Sequence, residues 1–129
     1  MTFVDTNYFM RFLANRESEQ GKMVKKLFEA AALKKVELVS SLVVFFEIYW
    51  LMKSIYGKKK GSLQIVLREV ISMNFVRWEG QKKLTEAVEM MNKTNFDLEE
   101  AYNLVYVKSV KAEVMGSFDK KLQKNWAKK

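Results

Sequence analysis

The chain contains neither His nor Cys, so the side chains left to do chemistry near neutral pH are carboxylates. Thiolate nucleophiles, zinc–thiolate sites, disulfides and imidazole bases are excluded together. Four places along the chain are of interest. Asp5 ends the short apolar run Thr2 to Val4, and Asp119 follows a second run, Val114 to Phe118. Glu47 lies within Ser41-Leu-Val-Val-Phe-Phe-Glu-Ile-Tyr-Trp-Leu-Met52, where almost every neighbour is apolar. A buried, unpaired carboxylate there would cost on the order of several kcal/mol, so Glu47 is expected to be neutral, paired or bound to a cation. Finally, Asp97-Leu-Glu-Glu100 puts positions 97 and 100 on one face of a helix start. Carboxylates that converge from such places would suit a hard, oxygen-liganded cation, Mg²⁺ or Mn²⁺. Each also has a plain structural reading: helix caps for Asp5 and Asp119, a salt bridge for Glu47, and first-turn acids for Asp97 and Glu100.

The elements that must carry these acids can be read from periodicity. Thr2 to Val4 reads as a buried strand, followed by a helix with Tyr8, Phe9, Phe12 and Leu13 on its apolar face. Glu17 to Leu33 is amphipathic. Val36 to Val39 is a β-prone run, and Ser40-Ser41 offers a cap for a helix over Leu42 to Tyr56. Gly57 to Gly61 encloses Lys58, Lys59 and Lys60 in a turn, after which Ser62 can cap the next helix. Asn74 to Trp78 is a short strand, Glu79 to Asn92 and Asp97 to Lys108 are helices, Val114 to Phe118 is a fourth strand, and a last helix runs from Asp119 toward Trp126. Short strands separated by helices predict an α/β fold: a three-layer α/β/α sandwich around a parallel sheet of about four strands. In such sheets ligands bind beyond the carboxyl ends of the strands, where Asp5 and Asp119 are expected.

With 129 residues and no Pro- or Ser-rich linker, a single domain over 1–129 is expected. The net charge of +8 favours a polyanionic partner, whether RNA, DNA, an acidic protein segment or an anionic membrane. The longest apolar run, Leu38 to Met52, includes Glu47 and falls short of the roughly 20 residues that span a bilayer. No signal-peptide pattern opens the chain, so a cytoplasmic location without membrane contact is expected.

Four segments together resemble the PIN-domain nucleases, and within them the VapC-like toxin ribonucleases of toxin–antitoxin pairs. They are Phe3-Val-Asp5-Thr-Asn7, Ser40-Ser-Leu-Val-Val-Phe-Phe-Glu47, Asp97-Leu-Glu-Glu100-Ala101 and Gly116-Ser-Phe-Asp119-Lys-Lys-Leu122. The likeness covers nearly the whole chain. It implies an endoribonuclease that hydrolyses RNA phosphodiester bonds with Mg²⁺ or Mn²⁺ held by Asp5, Glu47, Glu100 and Asp119. It also implies an antitoxin protein as partner. The family usually has Asp before the Ala, where this chain has Glu100, so Asp97 stands as the alternative third acid.

Hydrolysis of this kind needs an activated water and neutralised phosphoryl charge, both within reach of a carboxylate-held divalent ion, and no protein nucleophile. Thr6, Asn7 and Ser117 are candidates for supporting hydrogen bonds. Arg11, Lys58, Lys59, Lys60, Lys120 and Lys121 are candidates for contacts along an RNA backbone. Tyr49, Trp50 and Tyr56 suggest a face for a homodimer. A haloacid-dehalogenase phosphatase would need a second Asp where Asn7 stands. A catalytically weak or inactive PIN fold that binds RNA or protein is the remaining alternative, separable by metal dependence.

Overall fold

The apolar and β-branched runs condense into the expected alternation of strands and helices in the computed structural model, which describes residues 1–127. Chain contacts divide it into two compact units, Met1–Gln81 and the part from Lys82 onward.

The first unit carries β1 (Thr2–Phe3), α1 (Thr6–Ala14), α2 (Glu19–Ala32), β2 (Leu38–Ser40), α3 (Leu42–Ser54), α4 (Lys60–Ile71) and β3 (Val76–Trp78). The strands form a parallel sheet in the order β1-β2-β3, with Thr2 opposite Leu38 and Leu38 opposite Val76. All three therefore end on the same side, at Val4-Asp5, Ser41 and Glu79. The pairing continues one residue past β1, where the Val4 amide donates to the Val39 carbonyl at 2.9 Å. Beside it the buried Ser40 hydroxyl donates to the Val4 carbonyl at 2.7 Å, tying the exits of two strands together.

A ring cluster fills the core of this unit. Phe9 is wholly buried, with its ring centroid 5.6 Å from Phe28 and 5.0 Å from Trp78, while Phe45 meets Trp78 edge-on at 5.3 Å. Residues of α1, α2, α3 and β3 thus share one packed centre, which fixes the helix that begins at Asp5.

The second unit carries α5 (Gln81–Lys93), α6 (Leu98–Ser109) and α7 (Lys120–Ala127). Leu84, Ala87, Val88 and Met91 bury one face of α5, and Leu98, Ala101, Leu104 and Val105 one face of α6. Packing of α6 against α7 brings the late acids together.

The α/β class with a parallel sheet is as expected, but the sheet among the described residues has three strands rather than four. Val114 to Phe118 does not pair. Val114 and Phe118 point to solvent, and the carbonyls of Met115 and Ser117 are both taken by the Gln123 side-chain amide, at 2.5 and 2.9 Å, instead of by a neighbouring strand. The helix expected to begin at Ser62 begins at Lys60, after the extended backbone of Lys59, so Lys60 and Gly61 join its first turn.

Candidate functional site

Asp5 stands where β1 passes into α1. Its Oδ1 accepts from the amides of Asn7 and Tyr8, at 3.1 and 3.4 Å, closing the helix N-terminus. Both bonds fall on one oxygen, so Oδ2 projects beyond the cap from an exposed residue. Asp5 and Asn7 line a cavity of about 390 Å³ with Tyr8, Arg11, Gln20 and Met23. The Arg11 guanidinium is engaged there, its Nε donating to Gln20 Oε1 at 2.6 Å. Thr6, the first residue of α1, is buried.

Glu47 corrects an expectation. It lies on the exposed face of α3 with Val43 and Trp50, at i, i+4 and i+7 spacing, while Val44, Phe45, Ile48, Tyr49 and Met52 face inward. The desolvation that would have forced a partner on it is absent, because Glu47 occupies the narrow stripe of α3 that faces solvent, beside the exposed Val43 and Trp50. The same geometry revises the dimer face. Tyr49 is 2% exposed and belongs to the core, whereas Trp50 and Tyr56 are exposed.

Glu79 was not singled out by the sequence, yet it follows β3 as Asp5 follows β1. Its Oε1 accepts from the Leu42 amide at 3.0 Å, joining the exit of β3 to the start of α3, whose other cap is the Ser41 hydroxyl. The signal was available: an acid immediately after a strand in a parallel sheet.

Within the second unit, Asp97 and Glu100 form a reciprocal capping box. Asp97 Oδ1 accepts from the Glu100 amide at 2.8 Å, and Glu100 Oε1 accepts from the Asp97 amide at 3.1 Å. The box occupies one oxygen of each carboxylate, Asp97 Oδ1 and Glu100 Oε1. The Lys121 ammonium sits 3.6 Å from Glu100 Oε2 and 5.5 Å from the centroid of the Phe96 ring.

Asp119 is set by α7 rather than by a strand. Its Oδ1 accepts from the amides of Lys121 at 2.8 Å and Leu122 at 3.3 Å, and its own amide donates to the Ser117 hydroxyl at 3.0 Å. The Leu122 amide is the chief cause that lowers the Asp119 pKa. Partial burial opposes it, and a hydrogen bond with the Glu100 carboxyl, the Lys121 amide and the Lys121 charge lower it further. Glu100 and Asp119 are thus a neighbouring carboxyl pair with a lysine beside them.

Because the folded Asp119 ionises below its ordinary value of 3.8, its ionised form stabilises the fold at pH above that value. The contribution disappears as pH falls through the lowered value. Urea titrations of Asp119→Asn and the parent chain should therefore differ most at neutral pH and converge in strong acid.

The lysines named from the sequence separate by position. Lys58 and Lys59 precede α4, Lys60 is its first residue, and all three are exposed. Lys120 is exposed at the start of α7. Among the described residues no three acidic side chains are gathered into a group that could hold a metal ion. The donor chemistry nevertheless suits a hard divalent ion. Asp5 Oδ2 is outside its cap, and Glu100 Oε2 faces a cation already. No described helix is long and apolar enough to cross a membrane.

A family model described as "PIN domain" matches residues 2–127, and the chain belongs to that family. No curated protein and no solved structure matches it.

Proposed function

We propose that this PIN-domain chain is a metal-dependent endoribonuclease, with residues 1–129 acting as one domain and Asp5, Glu47, Glu100 and Asp119 holding Mg²⁺ or Mn²⁺. The family supplies a nuclease-type fold. The observation that carries the proposal further is the Glu100–Asp119 carboxyl pair with the Lys121 ammonium seated 3.6 Å from Glu100. It is a place where anionic oxygens already attract a cation.

When bound, a divalent ion supplies charge neutralisation at the scissile phosphate and an acidified water. The chain's own residues do the rest. Asp5 and Asp119 are each held in place by two backbone amides on Oδ1, so neither carboxylate must be ordered when the ion arrives. Glu100 replaces the shorter acid usual in the family, and its Oε1 accepts from the Asp97 amide. Its place beside Asp119 and the Lys121 ammonium favours Glu100 over Asp97 as the third acid. Thr6, Asn7 and Ser117 are supporting residues, Ser117 through its bond to the Asp119 amide. Arg11, Lys58, Lys59, Lys60, Lys120 and Lys121 contribute positive charge for the RNA backbone.

Lys121 competes with the metal for Glu100. Lys121→Met should therefore tighten Mn²⁺ binding by roughly two- to fivefold, the reach of a partly exposed ion pair. Calorimetric Mn²⁺ titration of the two proteins checks this.

The VapC-like likeness extends the proposal to the toxin of a toxin–antitoxin pair, working in the cytoplasm as a homodimer and covered by an antitoxin protein. The functional test is incubation of the purified chain with structured and single-stranded RNA in Mn²⁺ or Mg²⁺, beside an EDTA control. Cleavage that needs the metal supports the nuclease. RNA binding that is equal in EDTA, with no cleavage, supports an inactive PIN-fold binder instead.

A further inference from the structure

Phe118 is 106% exposed, with its whole ring in water, immediately before the candidate acid Asp119. A large apolar side chain fully solvated on a loose segment would be unremarkable surface. Here the segment is fixed on both sides of the ring. The Asp119 amide donates to Ser117 Oγ across Phe118 at 3.0 Å, and the Ser117 amide donates to the Met115 carbonyl at 3.0 Å. Gln123 clamps the Met115 and Ser117 carbonyls from α7, and Asp119 anchors the first turn of that helix. The ring is therefore presented outward from a backbone held in place by hydrogen bonds, with the exposed Lys120 and Lys121 directly after Asp119.

A flat apolar face, a candidate phosphate-cleaving acid and the exposed cation Lys120 within three consecutive residues match the parts of one nucleotide: a base to stack and a phosphate to neutralise. We infer that Phe118 is a stacking platform for an unpaired base next to the scissile phosphate, so that this one ring holds a single strand beside Asp119. The position beside a cleaved phosphate rests on the proposed nuclease activity, while the base platform itself needs only RNA binding. Bases in a duplex keep both faces stacked and offer none to the ring, so the preference follows from the geometry of stacking. A second copy of the chain is the weaker occupant. A two-fold contact through Phe118 would bring Lys120 and Lys121 toward the same lysines of its partner.

The test is equilibrium binding in EDTA, where no cleavage intervenes, of an unstructured oligoribonucleotide and of its duplex to the parent chain, Phe118→Ala and Phe118→Trp. Phe118→Ala should weaken single-strand binding by about tenfold and leave duplex binding within twofold. Phe118→Trp should retain single-strand binding and show fluorescence quenching as the base stacks. The ring packs on nothing in the fold, so both variants should melt with the parent. Equal single-strand binding by parent and Phe118→Ala would overturn the platform, as would an equal loss on duplex or a change confined to self-association. A parent chain that cleaves RNA with Mn²⁺ while Phe118→Ala binds normally refutes the platform alone. A Phe118 effect on binding with no cleavage by any protein refutes the nuclease alone.

Discussion

Replacing Asp5 with Asn should lower metal-dependent RNA cleavage by about 10³-fold while leaving the protein folded. The two consequences separate because the two oxygens of Asp5 have separate tasks. Oδ1 caps α1 by accepting from Asn7 and Tyr8, a role that the amide oxygen of Asn performs nearly as well. Oδ2, proposed to face the metal, would become an uncharged NH₂ or lose its charge on reorientation, and a hard cation gains little from either. Thermal melting of Asp5→Asn within a few degrees of the parent, with initial rates measured in Mn²⁺, checks both halves. Loss of folding along with activity would mean that the residue's main task is the cap.

Phe9→Ala should have the largest effect on stability, about 3–5 kcal/mol, because it removes a wholly buried ring that touches both Phe28 and Trp78. The lost ring leaves a cavity where α1, α2 and β3 meet, and rigid aromatic neighbours collapse into such a space poorly. The melting temperature should fall by roughly 10–20 °C. Since α1 carries Asp5 at its N-terminus, cleavage by this variant should fail on warming well before that of the parent. Urea denaturation followed by Trp fluorescence measures the loss, with Trp78 as a reporter inside the cluster.

The elements were largely legible in the sequence because the local signals agreed with one another. Asp5, Ser41 and Asp97 cap the helices that their residue types and following apolar periodicity imply. The Val114–Phe118 strand was misread because β-prone composition states only that a segment would suit a sheet, whereas pairing depends on a free edge and unclaimed carbonyls. Here a Gln123 side chain eight residues away claimed one of those carbonyls. Glu47 was misread for a related reason. Apolar neighbours in sequence lie all round a helix, and the exposed stripe of α3 is narrow enough to vanish in a linear reading.

For the site, the sequence supplied the acids but not their pairing. That Glu100 and Asp119 are neighbours, and that Lys121 stands on Glu100, depends on the packing of α6 against α7. No spacing rule contains that. Phe118 was passed over because a hydrophobic residue in a β-prone run is ordinarily buried, and only its exposure marks it out.

The most direct measurement is a Mn²⁺ titration followed by the electron paramagnetic resonance signal of the free ion, on the parent chain, Asp5→Asn and Asp119→Asn. We expect the parent to withdraw Mn²⁺ from solution saturably, and each substitution to abolish the same binding event or weaken it at least tenfold, since both acids are proposed to hold one ion. A parent chain that leaves the free Mn²⁺ signal unchanged, or variants that bind as the parent does, would contradict the metal assignment and with it the proposed nuclease chemistry.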